Sequence, residues 1–90
     1  MLCVVPRISQ FLGICIYMYF SDHSPPHFHA IYGQFDAEFV IGTGERLRGA
    51  FPPRAERLVE EWAGIYRNQL QDNWERARSH EALREVPPLE

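Results

Sequence analysis

The sequence contains no lysine, and all nine of its basic residues are arginine, against twelve Asp and Glu residues. The formal net charge is therefore −3. Arginine binds carboxylates and phosphates in a bidentate manner better than lysine does, although a GC-rich genome explains an all-arginine chain more simply. A chain without an overall positive field is not drawn to nucleic acid. The composition thus excludes the class of strongly basic nucleic-acid-binding proteins.

Cysteine is equally scarce, with only Cys3 and Cys15 in the chain. Two cysteines are too few for a disulfide scaffold, and their spacing is not that of a metal site. We therefore expect both to be small, buried, apolar side chains.

Long hydrophobic runs are also missing. The longest, "FLGICIYMYF" at residues 11–20, falls well short of the ~20 residues that cross a bilayer. Arg7 before it faintly suggests a signal peptide, but no small-residue cleavage site follows. We expect a cytoplasmic protein with no membrane contact. With 90 residues, 46% of them hydrophobic, and no repeats, the chain is expected to form a single domain over residues 1–90.

The first two thirds of the chain show the alternation typical of β-strands. In "ICIYMYF" (residues 14–20) one face carries Ile14, Ile16, Met18 and Phe20, and the other carries Cys15, Tyr17 and Tyr19. Because both faces are largely apolar, we expect a central strand covered on both sides.

Two turns define a pair of hairpins. A turn at Gly33-Gln34 gives an apolar face of Phe28, Ala30, Tyr32, Phe35, Ala37 and Phe39, and a polar face with Ile31 opposite Asp36, His29 opposite Glu38 and His27 opposite Val40. A second turn at Gly42-Thr43-Gly44 then sets Arg46 opposite Val40, Leu47 opposite Phe39 and Arg48 opposite Glu38. A slip of one residue in either turn would reverse these faces.

The last third is predicted to be helical. Pro53 suits a first helical position, and apolar residues recur at helical spacing at Ala55, Leu58, Val59, Trp62, Ala63, Tyr66 and Leu70. We expect a break near residues 68–72, where Asp72 followed by Glu75 resembles a capping box, and then a second helix with Trp74 and Ala77 inward. The tail from Leu83 should be extended. The fold class is α+β: an antiparallel sheet of three to four strands, with two C-terminal helices or one kinked helix packed on one face.

Three segments carry a family resemblance: residues 7–33, "PPRAERLVEEWA" at 52–63 and "NWERAR" at 73–78. Together they resemble the bacterial domain of unknown function 4160, from about Pro6 to Leu89. The resemblance implies a small prokaryotic protein encoded beside a member of the family of unknown function 2442, in a two-gene arrangement like that of toxin–antitoxin modules. The implied partner is the product of that neighbouring gene. The chain departs from the family pattern in its Met1–Val5 extension and at Tyr17 and Tyr66.

Three histidines, His23, His27 and His29, lie within "SDHSPPHFHAIYG" (residues 21–33). His27 and His29 would project from one strand face, and His23 could add a third metal ligand from the loop. The Glu and Gly spacing of cupins is absent, and nothing else in the sequence indicates a cofactor.

The predicted polar face supports a different chemistry. It collects His27, His29, Asp36, Glu38, Arg46 and Arg48. Metal-independent RNA cleavage needs a carboxylate base, an imidazole acid and a guanidinium group for the phosphate, which makes His27, His29, Glu38 and Arg48 candidate catalytic residues and RNA a candidate partner. However, polar sheet faces with cross-strand ion pairs are also typical of structural or partner-binding surfaces. The sequence leaves open whether the protein is an enzyme, an interaction protein or a metal-binding domain.

Overall fold

The structure is a computed structural model that describes residues 7–20, 23 and 25–90. In this part of the chain five strands precede two helices: β1 Arg7–Phe11, β2 Ile14–Tyr17, β3 His27–Tyr32, β4 Phe35–Val40, β5 Arg46–Gly49, α1 Pro53–Ile65 and α2 Arg67–Arg78. The described residues do not include Asp22 or the Met1–Val5 extension. The prediction that Cys3 is buried therefore concerns a residue outside them.

The strands form one antiparallel sheet in the order β1-β2-β3-β4-β5. The predicted α+β class is confirmed, but the expected three to four strands were too few. The missed strand is β1, which reaches β2 through a turn at Leu12 and Gly13, where both residues have positive φ, 50° and 82°. Such turns usually carry Asn-Gly or Gly. Leucine gives no turn signal there, so the sequence pattern did not reveal the hairpin.

The register of the β3–β4 hairpin is confirmed at every predicted pair. Phe28 faces Phe39, Ala30 faces Ala37 and Tyr32 faces Phe35 on the apolar side, and His27 faces Val40, His29 faces Glu38 and Ile31 faces Asp36 on the other. The Gly33-Gln34 turn therefore determines which side chains lie together on each face of the sheet.

The β4–β5 hairpin follows its predicted register only in part. Arg48 pairs with Glu38 as predicted, but Arg46 pairs with Phe39 instead of Val40, because the register shifts between Glu38 and Phe39. An extra residue in one strand sends the side chains beyond it to the other face. Arg46 therefore leaves the polar face, and its Nε donates a hydrogen bond of 3.2 Å to Glu56 on α1. The prediction that Leu47 lies opposite Phe39 was also wrong.

The core lies between the apolar sheet face and α1. Phe28, Phe39, Val59 and Trp62 are fully buried, and the Trp62 ring centroid lies 5.7 Å from that of Phe28. The predicted packing of the hairpin on the helix is confirmed. At the turn end, however, Tyr32 and Phe35 are exposed.

The prediction for β2 was partly wrong. Ile14, Ile16 and Met18 are buried as expected, whereas Phe20 is exposed. The strand ends at Tyr17, so the alternation does not reach Phe20, whose ring stacks on His80 with centroids 6.3 Å apart. On the other face Cys15, Tyr17 and Tyr19 are half-buried, which means that the strand is not covered fully on both sides.

The helices begin as predicted and break elsewhere. α1 starts at Pro53, and the break falls at Tyr66, before the predicted residues 68–72. Asp72 is not a cap: it lies inside α2, where Arg76 Nε donates a hydrogen bond of 2.9 Å to its Oδ2. Trp74 and Ala77 are buried as expected. No helix in the described part of the chain is long and apolar enough to cross a membrane.

The buried Asn73 does not interrupt α2, because its side-chain amide has hydrogen-bond partners in the tail. The Asn73 side chain donates a hydrogen bond of 2.8 Å to the Arg84 carbonyl oxygen and accepts one of 2.9 Å from the Arg84 N–H. The polar residue in the apolar stripe is thus paired with the tail. The tail then reaches β1, where the Val86 N–H donates a hydrogen bond of 2.8 Å to the Ile8 carbonyl oxygen.

Candidate functional site

A groove lies on the sheet face that carries the polar side of the β3–β4 hairpin. It has a volume of about 420 Å³ and is lined chiefly by Tyr19, His29, Asp36, Glu38, Arg48 and Gly49. Three of the four predicted catalytic residues therefore line one groove, and the fourth, His27, lies beside Glu38. The hairpin register brings them together, because alternate residues of β3 and β4 point to the same face.

Glu38 is the centre of this group. Its Oε1 lies 3.3 Å from Arg48 Nε and 3.5 Å from His27 Nε2. The predicted row, with His29 directly opposite Glu38 and Arg48 on its far side, is confirmed at the level of backbone register. The imidazole at ion-pair distance is nevertheless that of His27, the diagonal neighbour. Side chains two residues apart on a strand lie within reach of one cross-strand partner, which is why His27 reaches Glu38 from the diagonal position.

His27 is held in place on both sides of its ring. Its side chain is fully buried, while that of Glu38 is 20% exposed. His27 Nδ1 donates a hydrogen bond of 2.7 Å to the Pro25 carbonyl oxygen. A carbonyl oxygen can only accept, so Nδ1 carries a proton and Nε2 is the atom turned toward Glu38. The Trp74 ring packs beside the imidazole at a centroid distance of 5.4 Å. His27 is therefore fixed by its own surroundings, with its Nε2 3.5 Å from Glu38 Oε1.

His29 and Tyr19 form the aromatic wall of the groove. Both are half-buried, and their rings meet edge to face with centroids 4.2 Å apart. Tyr19 was not predicted as a site residue. The signal that could have revealed it is the alternation that places Tyr19 on the same face as Tyr17, because Tyr17 is the direct neighbour of His29 across β2 and β3.

The charged side chains of the groove are predominantly acidic. Asp36 is exposed, Glu38 is half-buried and Arg48 has 53% of its side chain exposed. Because Arg46 points toward α1 instead, two carboxylates face a single guanidinium group. This balance attracts cations more strongly than phosphates.

The three histidines of the predicted metal site lie close together. The ring centroid of His27 lies 5.5 Å from that of His23 and 5.2 Å from that of His29. Among residues 7–20, 23 and 25–90, no group of three His, Cys, Asp or Glu side chains could hold a metal ion. His27 Nδ1 is also engaged by Pro25, which leaves only Nε2 to ligate, beside Glu38.

Adding zinc or nickel is therefore expected to leave the melting temperature unchanged. A ligand that binds only the folded state raises the apparent stability by an amount that grows with the logarithm of its concentration relative to Kd, and metal binding to the three histidines would do so. Differential scanning fluorimetry of the wild type and of a His27→Ala/His29→Ala variant, with metal or with chelator, measures this effect. A metal-dependent rise in the wild type that disappears in the double variant would establish the histidine metal site.

Of the comparisons with known proteins, only the one with protein families found a match. No curated protein and no solved structure matches the chain. A family model described as "Domain of unknown function (DUF4160)" matches residues 13–75, a span from the end of the first turn to the middle of α2 that includes His27, His29, Glu38 and Arg48. Since this span is well over half of the chain, the protein belongs to the DUF4160 family.

Proposed function

We propose that the protein is the partner-binding component of a two-gene, toxin–antitoxin-like module, and that the groove contacts the product of the neighbouring gene. The gene arrangement is what the family resemblance implies. The observation that carries the proposal is the sharing of Glu38 Oε1 between His27 and Arg48. This carboxylate lies between an arginine and a buried imidazole, so it has a defined position on the surface that a partner can recognise.

The composition of the groove also fits a protein partner. Aromatic side chains and arginine are enriched in the centres of protein interfaces, and the groove presents Tyr19, His29 and Arg48. The exposed Asp36 carboxylate complements a basic segment, which would increase the rate and specificity of association.

A second candidate, a metal-independent ribonuclease, is favoured by the convergence of its four predicted residues. Glu38 would take the proton of a ribose 2′-hydroxyl as that oxygen attacks the phosphorus. His29 would give a proton to the departing 5′-oxygen, and Arg48 would stabilise the charge on the phosphoryl oxygens. RNA as substrate fits less well with the acidic balance of the groove, because phosphate binding depends on neutralising cations.

We expect His29→Ala and Glu38→Gln to weaken binding of the neighbouring gene's product while the fold survives. Loss of an interface side chain near the centre should reduce affinity by about tenfold, or ~1.4 kcal/mol. The partly exposed ion pair of Glu38 with Arg48 contributes only about 0.2–1 kcal/mol to stability. Co-expression with a tagged partner, co-purification and calorimetric titration give the affinity, and circular dichroism reports folding. Glu60→Gln, at an exposed glutamate of α1, is the matched control.

Growth and RNA assays separate the two candidate functions. The partner-binding proposal expects no RNA cleavage by folded wild type without its partner, and a growth phenotype that depends on both genes. RNA cleavage by the wild type alone that is lost in His29→Ala and Glu38→Gln would contradict the partner-binding proposal and support the ribonuclease. Unchanged partner affinity in both variants would show that the groove is not part of the interface.

A further inference from the structure

A second surface lies at the turn end of the sheet. A cleft of about 300 Å³ separates the β1–β2 turn from the start of α1, with Leu12, Ile14, Tyr32 and Leu58 in its apolar lining and Arg54 beside them. It shares no lining residue with the groove. The β1–β2 and β3–β4 turns meet at this end because the sheet is antiparallel.

Leu12 occupies a position that leucine does not favour. Its φ is 50°, and a left-handed backbone costs an L-residue about 1–2 kcal/mol. Its side chain gains little from burial in return, since it is 63% exposed. Asparagine or glycine would suit this turn better. Within the described part of the chain Leu12 thus gains no burial that offsets its strain, and its side chain is available for contact with a partner.

Arg54 is also placed unfavourably for the fold. It is exposed in the first turn of α1, where a cation opposes the helix dipole. Within the described part of the chain its guanidinium group forms no ion pair: those found involve Arg46, Arg48 and Arg76. A carboxylate brought to the mouth of the cleft would satisfy this charge.

We propose that the cleft docks a partner segment in which an apolar side chain lies beside a carboxylate. The apolar side chain would enter between Leu12, Tyr32 and Leu58, and the carboxylate would pair with Arg54. Charge complementarity selects an acidic segment over a basic one, because Arg54 stands at the mouth and the exposed Arg57 follows one turn later. The proposal concerns a surface separate from the groove and holds whether or not the groove binds a partner.

Leu12→Asn distinguishes this role from a structural one. Asparagine tolerates the left-handed conformation, so the substitution should raise the melting temperature. It also removes an apolar wall of the cleft, so it should weaken docking by about tenfold. Opposite effects on stability and binding are expected only where the leucine is kept for contact with a partner.

The test is a titration of the ¹⁵N-labelled protein, followed by NMR, with a capped peptide of alternating Leu and Glu and with its Leu and Lys counterpart. The Leu-Glu peptide should shift the amide signals of Gly13, Tyr32 and Arg54 and bind more tightly than the Leu-Lys peptide. Arg54→Gln should reduce its affinity by about threefold to fivefold. Arg78→Gln and Ile65→Gln, at an exposed cation and an exposed apolar residue outside the cleft, should leave it unchanged.

Three results would overturn the proposal. One is equal affinity for the two peptides, and another is the absence of shifts at the cleft with the Leu-Glu peptide. The third is dimerisation of the wild type, measured by sedimentation equilibrium, that Leu12→Asn abolishes, because the occupant would then be a second copy of this chain.

Discussion

Replacing Trp62 with alanine is expected to lower the free energy of unfolding by about 3–5 kcal/mol, through lost burial and the cavity left behind. Trp62 is fully buried, and its ring contacts those of Phe11, Phe28 and Tyr66 at centroid distances of 5.3, 5.7 and 6.1 Å. Its Nε1 also donates a hydrogen bond of 2.8 Å to the Pro87 carbonyl oxygen. One side chain thus joins the sheet, α1 and the tail.

Urea denaturation followed by circular dichroism measures the effect. Small domains have a total stability of about 5–15 kcal/mol, so Trp62→Ala should remove a large part of it and, at the lower end of that range, unfold a substantial fraction of the protein. Trp62→Phe is the matched control: it keeps an aromatic ring in the core and removes the Nε1 donor, so its cost should be smaller. A loss below about 1 kcal/mol in Trp62→Ala would contradict the packing of α1 on the apolar sheet face.

The β3–β4 hairpin could be predicted because its local signals agree with one another. Gly33 supplies a Gly-first turn, and strict alternation on both strands leaves only one register that buries Phe28 and Phe39 together. That register then determines the position of His29 relative to Glu38. The backbone arrangement of the site was therefore predictable from a turn and an alternation.

What sequence reasoning missed are features that depend on contacts distant in the chain. The shift between Glu38 and Phe39 depends on how β5 packs, and it carries Arg46 to Glu56 on α1. In the sequence Asn73 resembles a helix breaker. Its hydrogen bonds with the Arg84 backbone are made by a segment eleven residues away, which the local pattern does not show. Neither contact leaves a periodic signal.

The site shows the same difference between what local patterns predict and what distant contacts determine. Alternation placed His27 and His29 on one face but could not distinguish their environments. The burial of His27 depends on Trp74 of α2, and the orientation of its ring depends on Pro25. Consequently, sequence reasoning predicted two equivalent histidines, whereas in the structure His27 is buried beside Glu38 and His29 lines the groove.

Replacing Gly49 with alanine is expected to destabilise the fold by about 2–5 kcal/mol, the combined cost of a left-handed backbone and of overpacking. Gly49 has a φ of +87°, and an added Cβ would lie 2.9 Å from Ala37 Cα and closer still to the Asp36 carbonyl oxygen. These are backbone atoms of β4, which cannot rotate away. Any relief would move β5 from β4 and separate Arg48 from Glu38, so the groove should be disturbed as well.

Gly33→Ala separates the two causes. Gly33 also has a positive φ, +59°, but an added Cβ there would meet no atom within 4 Å, so only the backbone cost of about 1–2 kcal/mol remains. The free energies of unfolding of both variants, from urea titrations, should therefore differ by the cost of the steric conflict at β4. Amide signals of Glu38 and Arg48 should shift in Gly49→Ala and stay near their wild-type positions in Gly33→Ala. If the two variants are equally stable, β5 does not pack as closely on β4 as the structure has it, and the contact of Arg48 with Glu38 loses its support.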